Sequence, residues 1–211
     1  MPMEKLDVIQ NYQLVHKQLQ DACHYFGRKL SDIELLAASK SQSTEKIIEL
    51  SENTPIKDFG ENYAQELKKK AELLQDLAIR WHFIGQLQSN KIAQIVEYSS
   101  SILAVEKLEH ARKIAEAAER LSKAPFAIYL AVNLGDEKSK SGLALDKVGE
   151  FYNHLRDDKR LHVRGLMSIP PAKYTDQNCK LIVPEIYRKL ATQAKQVGGG
   201  CLSLGMSSDL H

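Results

Sequence analysis

The feature that most constrains this chain is a regular alternation of short apolar runs with longer stretches in which apolar residues recur every three or four positions. The runs IELLAAS, IKDFGEN, RWHFIG, SILAVE, PFAIYLAVN, VRGLMSIP and CLSLGMS have strand length and predict seven strands. An opening helix is expected from about Glu4 to Phe26, where Ile9, Tyr12, Leu19, Cys23 and Phe26 share a helical spacing. After the first run, Ser43 can cap a helix carrying Ile47, Ile48 and Leu50. Tyr63, Leu67, Ala71 and Leu74 mark the face of the next helix, and Ile92, Ile95 and Val96 that of a short one. The clearest helical stripe is Leu108, Ala111, Ala115, Ala118 and Leu121, followed later by Val148, Phe151 and Leu155. A last helix begins or kinks at Pro184 and is broken by Gly198-Gly199-Gly200.

Strand–helix alternation of this regularity implies a parallel sheet with helices outside it, because parallel neighbours need a crossover that packs back on the sheet. Two architectures satisfy it, an open doubly wound sheet and a TIM-like (β/α) barrel. A closed barrel needs eight strands and seven are readable. At 211 residues there is length for one domain, 1–211, with a sizeable core. The net charge of +2, from 29 basic and 27 acidic residues, gives no basic excess of the kind a dedicated nucleic-acid surface needs. No apolar run approaches the roughly 18 residues of a membrane span, and the first residues do not read as a signal peptide. Cys23, Cys179 and Cys201 are far apart, with no CxxC, and read as buried apolar side chains in a reducing compartment. The seven histidines form no His-x-His or HExxH pair, so no metal site is expected.

In either architecture ligands gather at the carboxyl ends of the strands. Lys40 ends the first, Gly60-Glu61-Asn62 the second and Gly85-Gln86 the third. Asn133 ends the fifth, Ser168 to Pro170 the sixth and Gly205-Met206-Ser207 the seventh. Lys40 shares a strand face with Ala38 and has room to lean inward. A desolvated amine there would be neutral enough to attack an aldehyde. The competing reading, a surface lysine closing a strand, is the one the residues alone favour among 29 basic side chains, and nothing in them singles out Lys40. His82, beside Trp81 in an apolar run, reads as a hydrogen-bonded structural histidine. The stretch GDEKSKSG at 135–142 reads as a polar rim loop in which Lys138 or Lys140 could meet a phosphate or simply be solvated. Ser207, with neighbouring backbone N–H groups, could donate to an anion.

In these segments the chain resembles the YggS/PROSC-like pyridoxal phosphate homeostasis proteins. The likeness runs in order through LLAASK at 35–40, DFGENYAQEL at 58–67, RWHFIGQLQSNK at 80–91, VNLGDEKSKSG at 132–142, RGLMSIP at 164–170 and LSLGMSSDL at 202–210. It implies a barrel like the N-terminal domain of alanine racemases, without a second domain. It also implies pyridoxal 5'-phosphate (PLP) as cofactor, held as an internal aldimine on Lys40. Met206 and Ser207 would belong to the phosphate cradle, and Asn62 would lie at the cofactor's edge. Family members continue past the Gly-Met-Ser motif into a helix, a Gly-Ser-Thr phosphate loop and a final Val-Arg-Ile-Gly strand. None of these is in the 211 residues, so the eighth strand is expected to be missing and strands one and seven to have unpaired edges.

The function implied is non-enzymatic: PLP binding and delivery within vitamin B6 homeostasis, in the cytoplasm. The expected partners are PLP itself and PLP-dependent apo-enzymes as recipients, with no nucleic acid and no membrane, in a monomer. Two alternatives remain: an amino-acid racemase-like PLP enzyme, which needs acid/base groups on both faces of the substrate, and a barrel scaffold that has lost PLP.

Overall fold

The computed structural model describes residues 7–134, 141–169 and 185–205. The strands are β1 (Ala37–Ala38), β2 (Asp58–Glu61), β3 (Arg80–Phe83), β4 (Ser101–Val105), β5 (Phe126–Asn133), β6 (Leu143–Ala144), β7 (Leu161–Ser168) and β8 (Cys201–Leu204). The helices are α1 (Val8–Tyr25), α2 (Thr44–Asn53), α3 (Ala64–Leu73), α4 (Ile92–Tyr98), α5 (Leu108–Arg120), α6 (Val148–Asn153) and α7 (Glu185–Ala194). Among the described residues the strand pairs are parallel, in the order β1-β2-β3-β4-β5-β7-β8, with β6 paired to β5 off this path.

The sheet curls through 233° around its axis and stops with its edges 12 Å apart. That gap exceeds two strand spacings of about 4.8 Å, so β1 and β8 do not pair. The expected TIM-like barrel is therefore open, and the seven expected strands form its continuous path. Strand β6, of two residues, is an addition that apolar patterning cannot reveal.

The outer face of the sheet makes the core. Phe59, Phe83, Ile102, Ile128, Leu130 and Leu166 are each at most 2% exposed and alternate along their strands with inward positions. Helix α5 packs against β5 and α4 and buries Ala111, Ile114, Ala115 and Ala118 completely. It stops where Ser122 takes a left-handed φ of 56°. The next residue, Lys123, donates to the carbonyls of Val96, Glu97 and Ser99 and so caps α4.

Several sequence expectations need correction. Helix α1 starts at Val8, because Asp7 and Gln10 form a reciprocal capping box. Ser43 occupies the N-cap of α2, but its hydroxyl makes no capping bond. Tyr63 precedes α3 and is 58% exposed, so it is not part of that helix's buried face. In β7, Ile128 pairs with Val163 and Tyr129 with Gly165, leaving Arg164 as a bulge. Gly165 has φ 155° and lies so close to β8 that a Cβ would sit 2.0 Å from the Cys201 carbonyl oxygen. Cys23 is buried as expected, Cys201 is half-buried, and Cys179, Pro184 and the start of the expected first helix at Glu4 lie outside the described residues.

Barrel interiors are commonly filled by branched apolar side chains. Here one inward layer is polar. His82 Nε2 lies 2.8 Å from Asp58 Oδ1, and its Nδ1 lies 2.7 Å from Ser101 Oγ. Arg80 Nε donates to Asp58 Oδ1 at 2.7 Å and its Nη2 to Oδ2. His82 is thus a structural hydrogen-bonding histidine. Burial opposes ionisation of Asp58, but hydrogen bonds from His82 and Arg80 outweigh it and hold the pKa at about 2, below the ordinary 3.8. Because the folded value is the lower one, this contribution is complete above pH ~4 and is lost as pH falls towards ~2. Arg80 is 60% exposed, so solvent screening limits the loss to on the order of 1 kcal/mol. Urea midpoints of wild type and Asp58→Asn should converge over that window; a constant difference between them would refute the linkage.

Candidate functional site

Strand β1 is only two residues long, and Lys40 lies two residues past it, at the corner of a turn. The Gln42 N–H donates to the Ser39 carbonyl at 3.0 Å, closing that turn around Lys40 and Ser41. Ser41 has a left-handed φ of 59°, which a non-glycine residue adopts only at a cost. Lys40 is exposed, and its ammonium has no hydrogen-bond or ion-pair partner among the described residues. The described surroundings therefore present this amine in solvent and do not bury it.

The base of the turn is tied down from behind. Ser39 is 3% exposed; its N–H donates to the Gly60 carbonyl at 2.9 Å and its Oγ to Glu61 Oε1 at 2.7 Å. Lys70 of α3 reaches the same place, donating to Glu61 Oε1 at 2.6 Å, to the Ser39 carbonyl at 2.9 Å and to Glu66 Oε2 at 3.3 Å. The Glu61 side chain is fully buried and that of Lys70 is 8% exposed. Sequence reading missed this cluster. The available signal was Lys70 itself, a charged residue three and four positions from Leu67 and Leu74 on the apolar stripe of α3.

Asn62 follows β2 at the same end of the sheet, half-buried, and its Oδ1 is buried without a hydrogen-bond partner. Glu61 Oε2 is likewise buried and unpartnered. Orphaned acceptors of this kind call for a donor from outside the described side chains. Gly85, at the end of the β3 segment, fixes the Asn62 backbone: a Cβ on Gly85 would lie 2.0 Å from the Asn62 carbonyl oxygen. Gly85→Ala must separate two backbones, since no side-chain rotation relieves the clash. A loss of about 2–3 kcal/mol is expected from its urea denaturation midpoint, and an unchanged midpoint would rule out the close approach.

Further round the rim, Gln86 Nε2 donates to Ser141 Oγ at 3.0 Å, joining the third strand end to the segment before β6. Ser168 is spent structurally, donating to the Val132 carbonyl at 2.7 Å. Met206, Ser207, Lys138, Lys140 and Pro170 lie outside the described residues. The structure thus brings Lys40 and Asn62 to one end of adjacent strands β1 and β2, in register through Ala38 and Gly60. Among the described residues no group of three or more His, Cys, Asp or Glu side chains is placed to hold a metal, and no helix is long and apolar enough to cross a membrane.

Comparison with known proteins gives this geometry its context. Residues 17–211 match the family model for the alanine racemase N-terminal domain. The pyridoxal phosphate homeostasis protein of Pseudomonas aeruginosa is 32% identical over 97% of this chain and 87% of its own length. The chain belongs to the pyridoxal phosphate homeostasis protein family. A solved structure of its member PipY from Synechococcus elongatus, with PLP bound, is 27% identical and superposes with a TM-score of 0.70 over 91% of this chain and 90% of PipY. Alanine racemase from Streptomyces lavendulae superposes with a TM-score of 0.70, but at 14% identity and over 53% of its own length it shares the fold alone.

Proposed function

We propose that this family member holds PLP through the Lys40 amine and serves to bind and hand on the cofactor, without turning over a substrate. PLP supplies an aldehyde that condenses with a primary amine, a C=N bond replacing C=O as one water leaves. The observation that carries the reading is the pairing of an exposed Lys40 amine free of any described partner with the buried, orphaned Asn62 Oδ1 at the neighbouring strand end. The residues fit the group: a primary amine for the aldehyde and a carboxamide for a polar ring substituent. Met206 and Ser207 are proposed as the phosphate contacts on the family resemblance, since hydroxyl and backbone N–H groups suit an anion.

The relatives are named for cofactor homeostasis, and the likeness to racemases extends only to the fold. Apo forms of PLP-dependent enzymes are the recipients this reading implies. The decisive experiment is to add PLP to the purified protein, record the visible spectrum, reduce with borohydride and map the tagged peptide by mass spectrometry. A yellow species with the tag on Lys40 is expected. A protein that stays colourless, or a tag on another lysine, would overturn the assignment.

A further inference from the structure

An ammonium buried behind a strand is an unusual way to stabilise a fold, since two apolar residues of similar volume do as well or better. The placement of Lys70 is more specific than stability requires. An ammonium has three donors, and those of Lys70 fall on Glu61 Oε1, Glu66 Oε2 and the carbonyl of Ser39. That carbonyl belongs to the peptide bond joining Ser39 to Lys40, and it also accepts the Gln42 N–H that closes the turn. Glu61 in turn receives the Ser39 hydroxyl, so the same residue is held at its N–H, its side chain and its carbonyl. Beyond it, Ser41 sits in a left-handed conformation that a free chain would leave.

We infer that the buried Glu61–Lys70 pair is a positioning device for Lys40: it clamps the Ser39–Lys40 peptide and so aims the amine. Both residues act through Ser39 in this arrangement. The inference rests on the reading of Lys40 as the PLP-binding lysine. It states where that reading draws its pre-organisation, since an exposed lysine on an unrestrained loop would lose more conformational freedom on capture.

The test uses the double variant Glu61→Gln, Lys70→Met, which removes both charges together and leaves no buried lone ion. PLP titrations would follow the visible band and its induced circular dichroism, with melting of the PLP-free protein alongside. Covalent capture should weaken about tenfold or more, the effect of losing a charged hydrogen bond to the turn. The dichroic signal per bound PLP should also shrink, because it reports a fixed orientation. Set in a Lys40→Ala background, the same pair of changes should leave residual non-covalent PLP affinity unaltered.

Capture at wild-type strength, or an equal loss with Lys40 absent, would overturn the positioning role. Persistence of the band in Lys40→Ala alone would instead sink the PLP-lysine reading, so the two failures are distinguishable. If the double variant does not fold, Ser39→Ala carries the test. It removes the hydroxyl's bonds to Glu61 Oε1 and to the Gly60 carbonyl and should weaken capture about threefold, and no weakening would overturn the inference.

Discussion

Lys40→Ala is expected to abolish the visible band and the borohydride-fixed tag while leaving the melting temperature within about 2 °C of wild type. The two outcomes separate because the turn around Lys40 is built from backbone and from its neighbours. Its closing bond runs from the Gln42 N–H to the Ser39 carbonyl, and its base is held by Glu61 and Lys70. The Lys40 side chain adds no described contact, so truncating it removes chemistry without removing structure. Asn62 is untouched by the change, and PLP contacts other than the covalent one should survive as weaker, colour-shifted binding. A band of wild-type intensity in Lys40→Ala would assign the chemistry to another lysine.

The single substitution Lys70→Met should have the opposite profile, a large loss of stability from a residue whose own amine is buried. It strips the ammonium from a carboxylate that is fully buried, leaving Glu61 with only the Ser39 hydroxyl as donor. Removing one member of such a pair typically costs about 3–5 kcal/mol. For a chain of this size that corresponds to a fall in melting temperature of about 10 °C or more. Adding Glu61→Gln should restore most of it, because a neutral amide is far cheaper to bury than an unpaired charge. Thermal melts of the single and double variants check this directly. If Lys70→Met melts with the wild type, Glu61 and Lys70 are not the enclosed pair described above.

The parts of this molecule that apolar periodicity controls were legible in the sequence. Seven runs gave the seven strands of the main path, and the alanine stripe of α5 gave the best-covered helix. What remained hidden depends on contacts between distant segments. The short run IELLAAS reads as a strand, yet among the described residues only Ala37 and Ala38 of it find a β partner, and just before it residues 30–32 form a single tight helical turn. Strand β6 has two residues and no periodicity to detect. The bulge at Arg164 arises from how β7 meets both β5 and β8, which no local pattern encodes. Lys40 and Asn62 could be placed at strand ends from the apolar runs and given a role by the resemblance, whereas the clamp behind them required knowing that α3 delivers Lys70 to the back of β1 and β2.

The strand order carries a consequence for how the chain assembles. Along the path each strand lies beside the one made just before it, apart from the short β6: Ala37 meets Phe59, Asp58 meets Arg80, and Phe126 meets Leu161. Loop-closure entropy is therefore spread over many modest steps, which favours fast formation over a late, distant strand insertion. A nascent chain emerging from the ribosome can add one strand–helix unit at a time to a surface already in place. Hydrogen exchange during refolding should show β2 to β5 protected together, before β8 joins the far edge.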